Sequence, residues 1–205
     1  KGLDFACIVN HKIPYFLKGD PGRLRQIMLN LAGNAIKFTE QGNVTIHADL
    51  KQSSATHVKV EFRVTDTGPG IPESKLDRLF KSFSQLEDSS NWSHGGTGLG
   101  LVISKSIAEI MGGSIGVVTK ENKGSTFWFT AVFEKDLSLP ETRFKIPQAL
   151  QAKKILVIED NKTHLQIISE LLKTYKLPYD KAVSDNEAMN KLHAAKADKI
   201  PFNIV

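Results

Sequence analysis

The run PGRLRQIMLNLAGNAIKFT, residues 21–39, decides the architecture of the N-terminal part of the chain. Asp20 before it is suited to cap a helix, and Pro21 takes the first helical position, where a missing N–H costs nothing. At about 100° per residue, Leu24, Ile27, Met28, Leu31, Ala35 and Phe38 gather in one apolar sector, and Thr39-Glu40-Gln41-Gly42 ends the helix. Arg23, Gln26, Asn30, Asn34 and Lys37 form a polar stripe within about 40° of one line. Taken alone, such a stripe is a solvated face. Solvated faces usually mix Glu with Lys, however, and here amides stand where carboxylates would be ordinary. An amide oxygen suits a divalent cation, and Lys37 one turn on can meet a phosphate oxygen.

Outward from this helix, residues 3–9 and 13–17 read as extended pieces. Residues 44–50 and 58–65 alternate apolar and polar side chains across the polar stretch 51–57, as a hairpin does. Residues 71–80 open with Ile71-Pro72-Glu73 as a short helix. A polar, glycine-edged loop follows over 84–96, then a helix over 97–111 that stops at Gly112-Gly113. Residues 115–119 and 126–133 make another hairpin around Lys123-Gly124. The mixture predicts an α+β domain over 1–134, a mixed sheet with helices on one face. Residues 135–152 carry two prolines and no sustained period, and read as a linker. Within 153–205, the apolar run 154–158 has the character of a buried parallel strand. Helices over 162–175 and 186–195, a strand near 179–183 and the final 202–205 complete βαβαβ, the opening of a flavodoxin-like, doubly wound sheet.

Composition removes several classes of function. With 40% hydrophobic and 24% charged residues the balance is that of a globular protein. The single Cys7 forms no internal disulfide, against a disulfide-stapled secreted scaffold. No apolar stretch approaches the roughly 18 residues of a membrane span, and residues 1–10 lack the pattern of a signal peptide. The expectation is a cytoplasmic fragment without membrane contact of its own, whose parent is free to carry an anchor. The net charge of +5 is spread out, 15 basic against 13 acidic residues in 1–134 and 12 against 9 in 135–205. Without a basic stripe, nucleic acid is not an expected partner.

Two further motifs carry chemistry. Asp66-Thr67-Gly68-Pro69-Gly70-Ile71 follows a strand directly. By itself this is a turn, but its glycines let backbone approach a ligand, and the Asp66 carboxylate can accept a hydrogen bond from the exocyclic amine of an adenine. Gly95-Gly96-Thr97-Gly98-Leu99-Gly100-Leu101 opens a helix, where free N–H groups and the macrodipole favour phosphate. It is neither a Walker loop nor a dinucleotide fingerprint. Gly124-Ser125-Thr126-Phe127 reads as a hairpin turn that braces the pocket.

These segments, in this order and spacing, resemble the boxes of sensor histidine kinases. Arg25-Gln26-Ile27, Asn30-Leu31 and Asn34-Ala35-Ile36-Lys37-Phe38-Thr39 correspond to the asparagine box, and Asp66 to Ile71 to the first glycine box. Phe80 with Phe83-Ser84-Gln85 corresponds to the phenylalanine box, and Gly95 to Leu101 to the second glycine box. Met111-Gly112-Gly113 and Gly124 to Phe127 complete the series. Four boxes in register are specific where one is not. The resemblance implies a Bergerat-type α/β sandwich that binds ATP and Mg²⁺. It implies that Asp66 reads adenine, that Asn34 holds Mg²⁺, and that Asn30 and Lys37 serve the phosphates in catalysis. Gly68, Gly70, Ile71, Phe83, Gly96, Thr97, Gly98, Leu99, Gly100, Leu101 and Thr126 would line the nucleotide, with 84–96 as a lid.

The same fold occurs in water-activating ATPases, which place a glutamate base four residues before the metal-binding asparagine. That position here is Asn30, which accepts no proton, so transfer to a protein is favoured over hydrolysis. The lid departs from the family in lacking a cation: Asn91-Trp92-Ser93-His94 stands there, which predicts weaker ATP binding. The acceptor histidine of this family precedes Glu or Asp, and none of His11, His47, His57, His94, His164 or His193 does. The chain is therefore expected to start after its phosphoacceptor domain and to be monomeric alone.

The tail Ile155-Leu156-Val157-Ile158-Glu159-Asp160-Asn161 resembles the start of a response-regulator receiver, with Glu159 and Asp160 as an acidic pair for Mg²⁺. The acceptor aspartate of that domain is expected about three residues beyond Val205, so the tail reads as an incomplete receiver. Together the two resemblances imply the catalytic part of a hybrid sensor histidine kinase. It would pass the γ-phosphoryl group to a histidine on a separate dimerisation domain, with a receiver or response regulator downstream. The alternative is a nucleotide-binding or interaction module that has lost phosphotransfer.

Overall fold

A computed structural model of the chain describes residues 1–81, 99–139, 146–198 and 200–205. Its contacts divide the chain into two compact units, Lys1–Glu141 and Thr142–Val205.

The first unit is a mixed sheet with helices on one face. β1 (Asp4–Val9) lies parallel to β3 (Asn43–Ser53), which pairs antiparallel with β4 (His57–Asp66). β4 pairs along its length with β6 (Ser125–Lys135), whose other edge takes β5 (Ile115–Thr119) and the two residues of β2 (Leu17–Lys18). The β3–β4 hairpin is longer than its alternation predicts, because the polar residues continue on the solvated face and leave only 54–56 for the turn. The extended piece expected over 13–17 shrinks to β2 for want of a longer partner edge. The short helix after Ile71 is a 3₁₀ segment, Glu73–Arg78.

Helix α1 (Pro21–Phe38) starts and stops where its caps require. Asp20 accepts the N–H of Arg23, Pro21 follows, and Thr39 leaves helical geometry. The predicted apolar sector faces the sheet: Ile27, Leu31 and Ala35 are buried, and Leu24 and Met28 pack beside them. Helix α2 (Gly100–Ile110) contributes Ile107 and Ala108, with Met111 just past its end. The sheet meets both helices with alternate residues, Val44 and Ala48 from β3, Val58, Val60 and Val64 from β4, and Phe127, Phe129, Ala131 and Phe133 from β6. Phe62 stacks on its cross-strand neighbour Phe129 with ring centroids 4.8 Å apart. The opposite face is charged: Arg63 pairs with Asp49, and Lys51 reaches Glu61 at 3.0 Å.

The second unit has α3 (Gln148–Gln151), β7 (Ile155–Ile158), α4 (Lys162–Thr174), β8 (Tyr179–Ala182) and α5 (Asp185–Ala197). β7 and β8 are parallel. The N–H of Ile155 donates to the Pro178 carbonyl just ahead of β8 and that of Glu159 to Ala182 in β8, while that of Leu156 meets the carbonyl of Ile204, which bridges to Ile155 on the other edge. β7 is thus central, and Leu156, Ala182 and Ala188 form its small core.

Leu31 and Leu29 share α1 but are 0% and 67% exposed. Leu31→Ala is expected to cost about 2–5 kcal/mol, and Leu29→Ala within about 0.5 kcal/mol. Trp128 lies in β6 of the first unit, and the second unit holds no tryptophan, so urea unfolding followed by tryptophan fluorescence reports on the first unit.

Candidate functional site

Asp66 ends β4, and strand alternation sets its side chain on the helix-covered face with Val64. It is 7% exposed. Its Oδ1 accepts the N–H of Gly68 at 2.9 Å and that of Ser125 at 3.3 Å. Oδ2 has no hydrogen-bond partner among the described residues. Burial pushes this carboxyl above the usual aspartate range, and the two backbone N–H groups work against that rise.

Backbone presses on this carboxylate from two sides. A Cβ at Gly68 would lie 2.9 Å from Asp66 Oδ1 and 3.1 Å from the Phe38 carbonyl oxygen, so this turn is wedged between the carboxylate and the end of α1. Gly124, at φ +89°, lies on the backbone of Asp66, where a Cβ would come within 2.0 Å of the carbonyl oxygen. The β5–β6 turn also braces the loop after Asp66. Asn122 N–H donates to the Pro69 carbonyl at 2.6 Å and Ile71 N–H to Thr119 Oγ1 at 3.0 Å, while Gly70 sits against the Lys120 carbonyl. The carboxylate therefore holds a fixed position with one oxygen left to accept a donor such as an aromatic amine.

The polar stripe of α1 divides in two. Asn30 donates to Ser104 Oγ at 2.9 Å, and a Cβ at Gly100 would lie 2.2 Å from its Oδ1. Asn30 thus ties α1 to the first turn of α2. Asn34 is half-buried, and its amide has no partner among the described residues. The Lys37 ammonium lies 5.1 Å from the centroid of the Phe38 ring, without an ion pair among the described residues. Among the described residues, Leu99 caps α2 without a side-chain bond and the first turn holds no acid, an arrangement that favours an anion there. Leu101 and Ile71 pack on the core. Phe83, Gly96, Thr97, Gly98 and the rest of the lid 84–96 lie outside the described residues.

The position of Thr126 corrects the sequence reading. Thr126 pairs with Thr65, and their hydroxyl oxygens are 3.0 Å apart on the sheet face opposite Asp66. Ser125, buried and paired with Asp66, takes the place expected of Thr126. The parity was available, since Phe127 is a core residue and strand period 2 puts Ser125 on the same face. Ser104 and Thr119 were missed because no local pattern announces a contact between distant elements.

In the second unit, Glu159 and Asp160 follow β7 side by side. Glu159 Oε1 accepts the Asn161 N–H at 3.1 Å and lies 3.8 Å from His164 Nδ1, while Asp160 is exposed. Asn161 caps α4 through the N–H groups of Thr163 and His164. Among the described residues no group of three His, Cys, Asp or Glu side chains gathers to hold a metal.

Residues 19–135 match the family of histidine kinase-, DNA gyrase B-, and HSP90-like ATPases. The chain belongs to that family. Within it, the chain is similar to the signal transduction histidine-protein kinase BarA of Escherichia coli strain K12, 40% identical over 84% of this chain and 19% of BarA. It is 35% identical to hybrid signal transduction histidine kinase K of Dictyostelium discoideum, over 98% of this chain and 18% of that protein. A crystal structure of full-length ShkA with AMPPNP matches with a TM-score of 0.72 at 31% identity, covering 92% of this chain and 37% of ShkA. The chain thus spans less than a fifth of these curated relatives. Its first unit is the ATP-binding catalytic domain found in sensor histidine kinases of two-component systems, with the α/β sandwich of that domain.

A carboxyl raised by burial favours the fold only when protonated, and once ionised it opposes folding. Asp66→Asn keeps an oxygen for both backbone bonds and removes the charge. The variant is expected to melt a few degrees higher than the ligand-free parent at pH 7.5. The difference should close as the pH falls through the raised value. Thermal melts from pH 4 to 8 check this, and a lower Tm at pH 7.5 would show that the ionised carboxylate holds the fold.

Proposed function

We propose that the chain is the catalytic part of a hybrid sensor histidine kinase, which transfers the γ-phosphoryl group of ATP to a histidine on a separate phosphoacceptor domain. The observation that carries the reading is Asp66, a buried carboxylate held by two backbone N–H groups, with one oxygen free and no cation beside it among the described residues. A buried acid without a countercharge costs stability, and a ligand that donates a hydrogen bond to it offsets that cost. The amine of adenine is such a donor. From there the triphosphate would extend toward Asn30, Asn34, Lys37 and the N-terminus of α2. The AMPPNP in the ShkA structure supports the choice of nucleotide.

The donor set fits magnesium. Asn34 offers an amide oxygen that no described residue engages, and Mg²⁺ keeps most of its waters and takes the remainder of its shell from phosphates, so no cluster of acids is required. When bound, the ion would neutralise charge on the transferring group. The chain's residues would supply position and electrostatics, Lys37 meeting phosphate oxygens and α2 offering N–H groups. Asn30, an amide already bonded to Ser104, provides no base for water, which favours a protein acceptor over hydrolysis. We assign this domain to 1–134, a linker to 135–152 that takes in the last residue of β6 and the short α3, and an incomplete receiver to 153–205, its Glu159 and Asp160 standing where a receiver holds Mg²⁺. The β8–β7–Ile204 order supports the last assignment. The partners are a phosphoacceptor domain and a receiver or response regulator, and the location is cytoplasmic.

Calorimetric titration with Mg·ATP tests the site. Asp66→Asn is expected to weaken binding by more than about tenfold, the cost of mispairing one buried hydrogen bond. Asn34→Ala should weaken binding and remove most of its dependence on Mg²⁺. With a histidine phosphoacceptor domain added, the unmodified chain should form acid-labile phosphohistidine and Asn34→Ala should not. Unchanged affinity in Asp66→Asn would overturn the site. ATP turnover without any acceptor would overturn the reaction.

A further inference from the structure

The segment ahead of β1 ends in a contact that the polar stripe and glycine loops do not account for. Lys1 Nζ donates to the carbonyl oxygens of Lys37 at 2.7 Å, Ile36 at 3.1 Å and Thr39 at 3.2 Å, and lies 3.3 Å from Glu40 Oε1. Its side chain is 34% exposed. The carbonyls of Ile36 and Lys37 belong to the last turn of α1, where no following N–H of the helix satisfies them and the macrodipole is negative. The usual partner of such carbonyls is a glycine C-cap or water. Here Thr39 leaves the helix in an extended conformation, bonds back to Ala35 and is fully buried. The ammonium fills the position that a C-cap would otherwise take. Two further contacts hold the same segment in place: Asp4 N–H donates to the Gly42 carbonyl at 3.0 Å, and Leu3 packs on the core.

The turn so held carries Lys37, and Asn34 lies one turn earlier. We infer that Lys1 is a positioning residue for the triphosphate half of the nucleotide site. It fixes the last turn of α1, and so the placement of Asn34 and Lys37, from the segment that leads into the domain. Lys1 touches no ligand in this scheme. It acts through the carbonyls of Ile36, Lys37 and Thr39, whereas the two backbone bonds that Asp66 accepts come from Gly68 and Ser125, which Lys1 does not touch. The inference rests on the nucleotide reading above and assigns it a control point far away in sequence.

The test separates the two halves of the ligand. Lys1→Met and Lys1→Gln, made in the 205-residue chain, are titrated with Mg·ATP and with adenosine alongside Asn34→Ala. Both variants are expected to bind Mg·ATP about two- to tenfold more weakly, the range set by a charge at a helix end. Their affinity for adenosine should match the parent's, and Lys1→Arg should recover at least part of the loss for ATP. Equal weakening toward ATP and adenosine would show a general loosening and overturn the inference. So would unchanged ATP affinity in both Lys1 variants while Asn34→Ala weakens it, an outcome that leaves the nucleotide site standing. Failure of the parent chain to bind Mg·ATP would overturn both.

Discussion

An aspartate buried at the end of a strand, with no cation beside it among the described residues, is the constraint around which the first unit is arranged. Desolvation opposes the charge on Asp66, and two backbone N–H groups supply only partial compensation. Bringing those groups close enough requires Gly68 and Gly124, because a side chain at either would collide with the carboxylate or its backbone. The β5–β6 turn must then lie on the loop after Asp66, and the hydrogen bonds of Asn122 and Ile71 hold it there.

Helix α1 serves both purposes at once. One sector fills the core against β3, β4 and β6, so the helix cannot rotate without exposing Ile27 and Leu31. That rigidity sets the polar stripe at a fixed height beside Asp66. The Asn30–Ser104 bond adds α2, so that the N-terminus of the second helix is registered to the first. Lys1 closes the far end of the same helix. The site is therefore assembled from a strand end, a helix face, a helix start and a turn, all referred to one packed sheet.

Much of this was legible in the residues. The start and end of α1 follow from Asp20, Pro21 and Thr39, and the apolar sector assigned by helical period is the one that packs. The hairpin of β3 and β4 and the strands β5 and β6 follow from alternation and glycine turns. Thr126 lies across from Thr65, on the face opposite Asp66, because strand period 2 gives Ser125 the position beside Asp66, a parity that the motif as a unit does not express. The bonds of Asn30 to Ser104 and of Lys1 to the end of α1 join residues 74 and 36 positions apart, and no local rule anticipates contacts of that range. The β3–β4 turn is shorter than the polar stretch 51–57 suggests, because polar residues on a solvated strand face carry the same local pattern as loop.

Local sequence alone determined the periods, the caps and the order of the boxes, since each depends on interactions within a turn of helix or between adjacent strands. It also determined the chemical types on offer: amides, one ammonium and one aspartate rather than a cluster of acids. The tertiary structure decided which of these groups meet. Whether Asp66 is buried, whether Ser125 or Thr126 faces it, and which residue closes the end of α1 all depend on close packing between elements distant in the chain. Packing of that kind is set by the shape of the whole core, which no window of sequence contains.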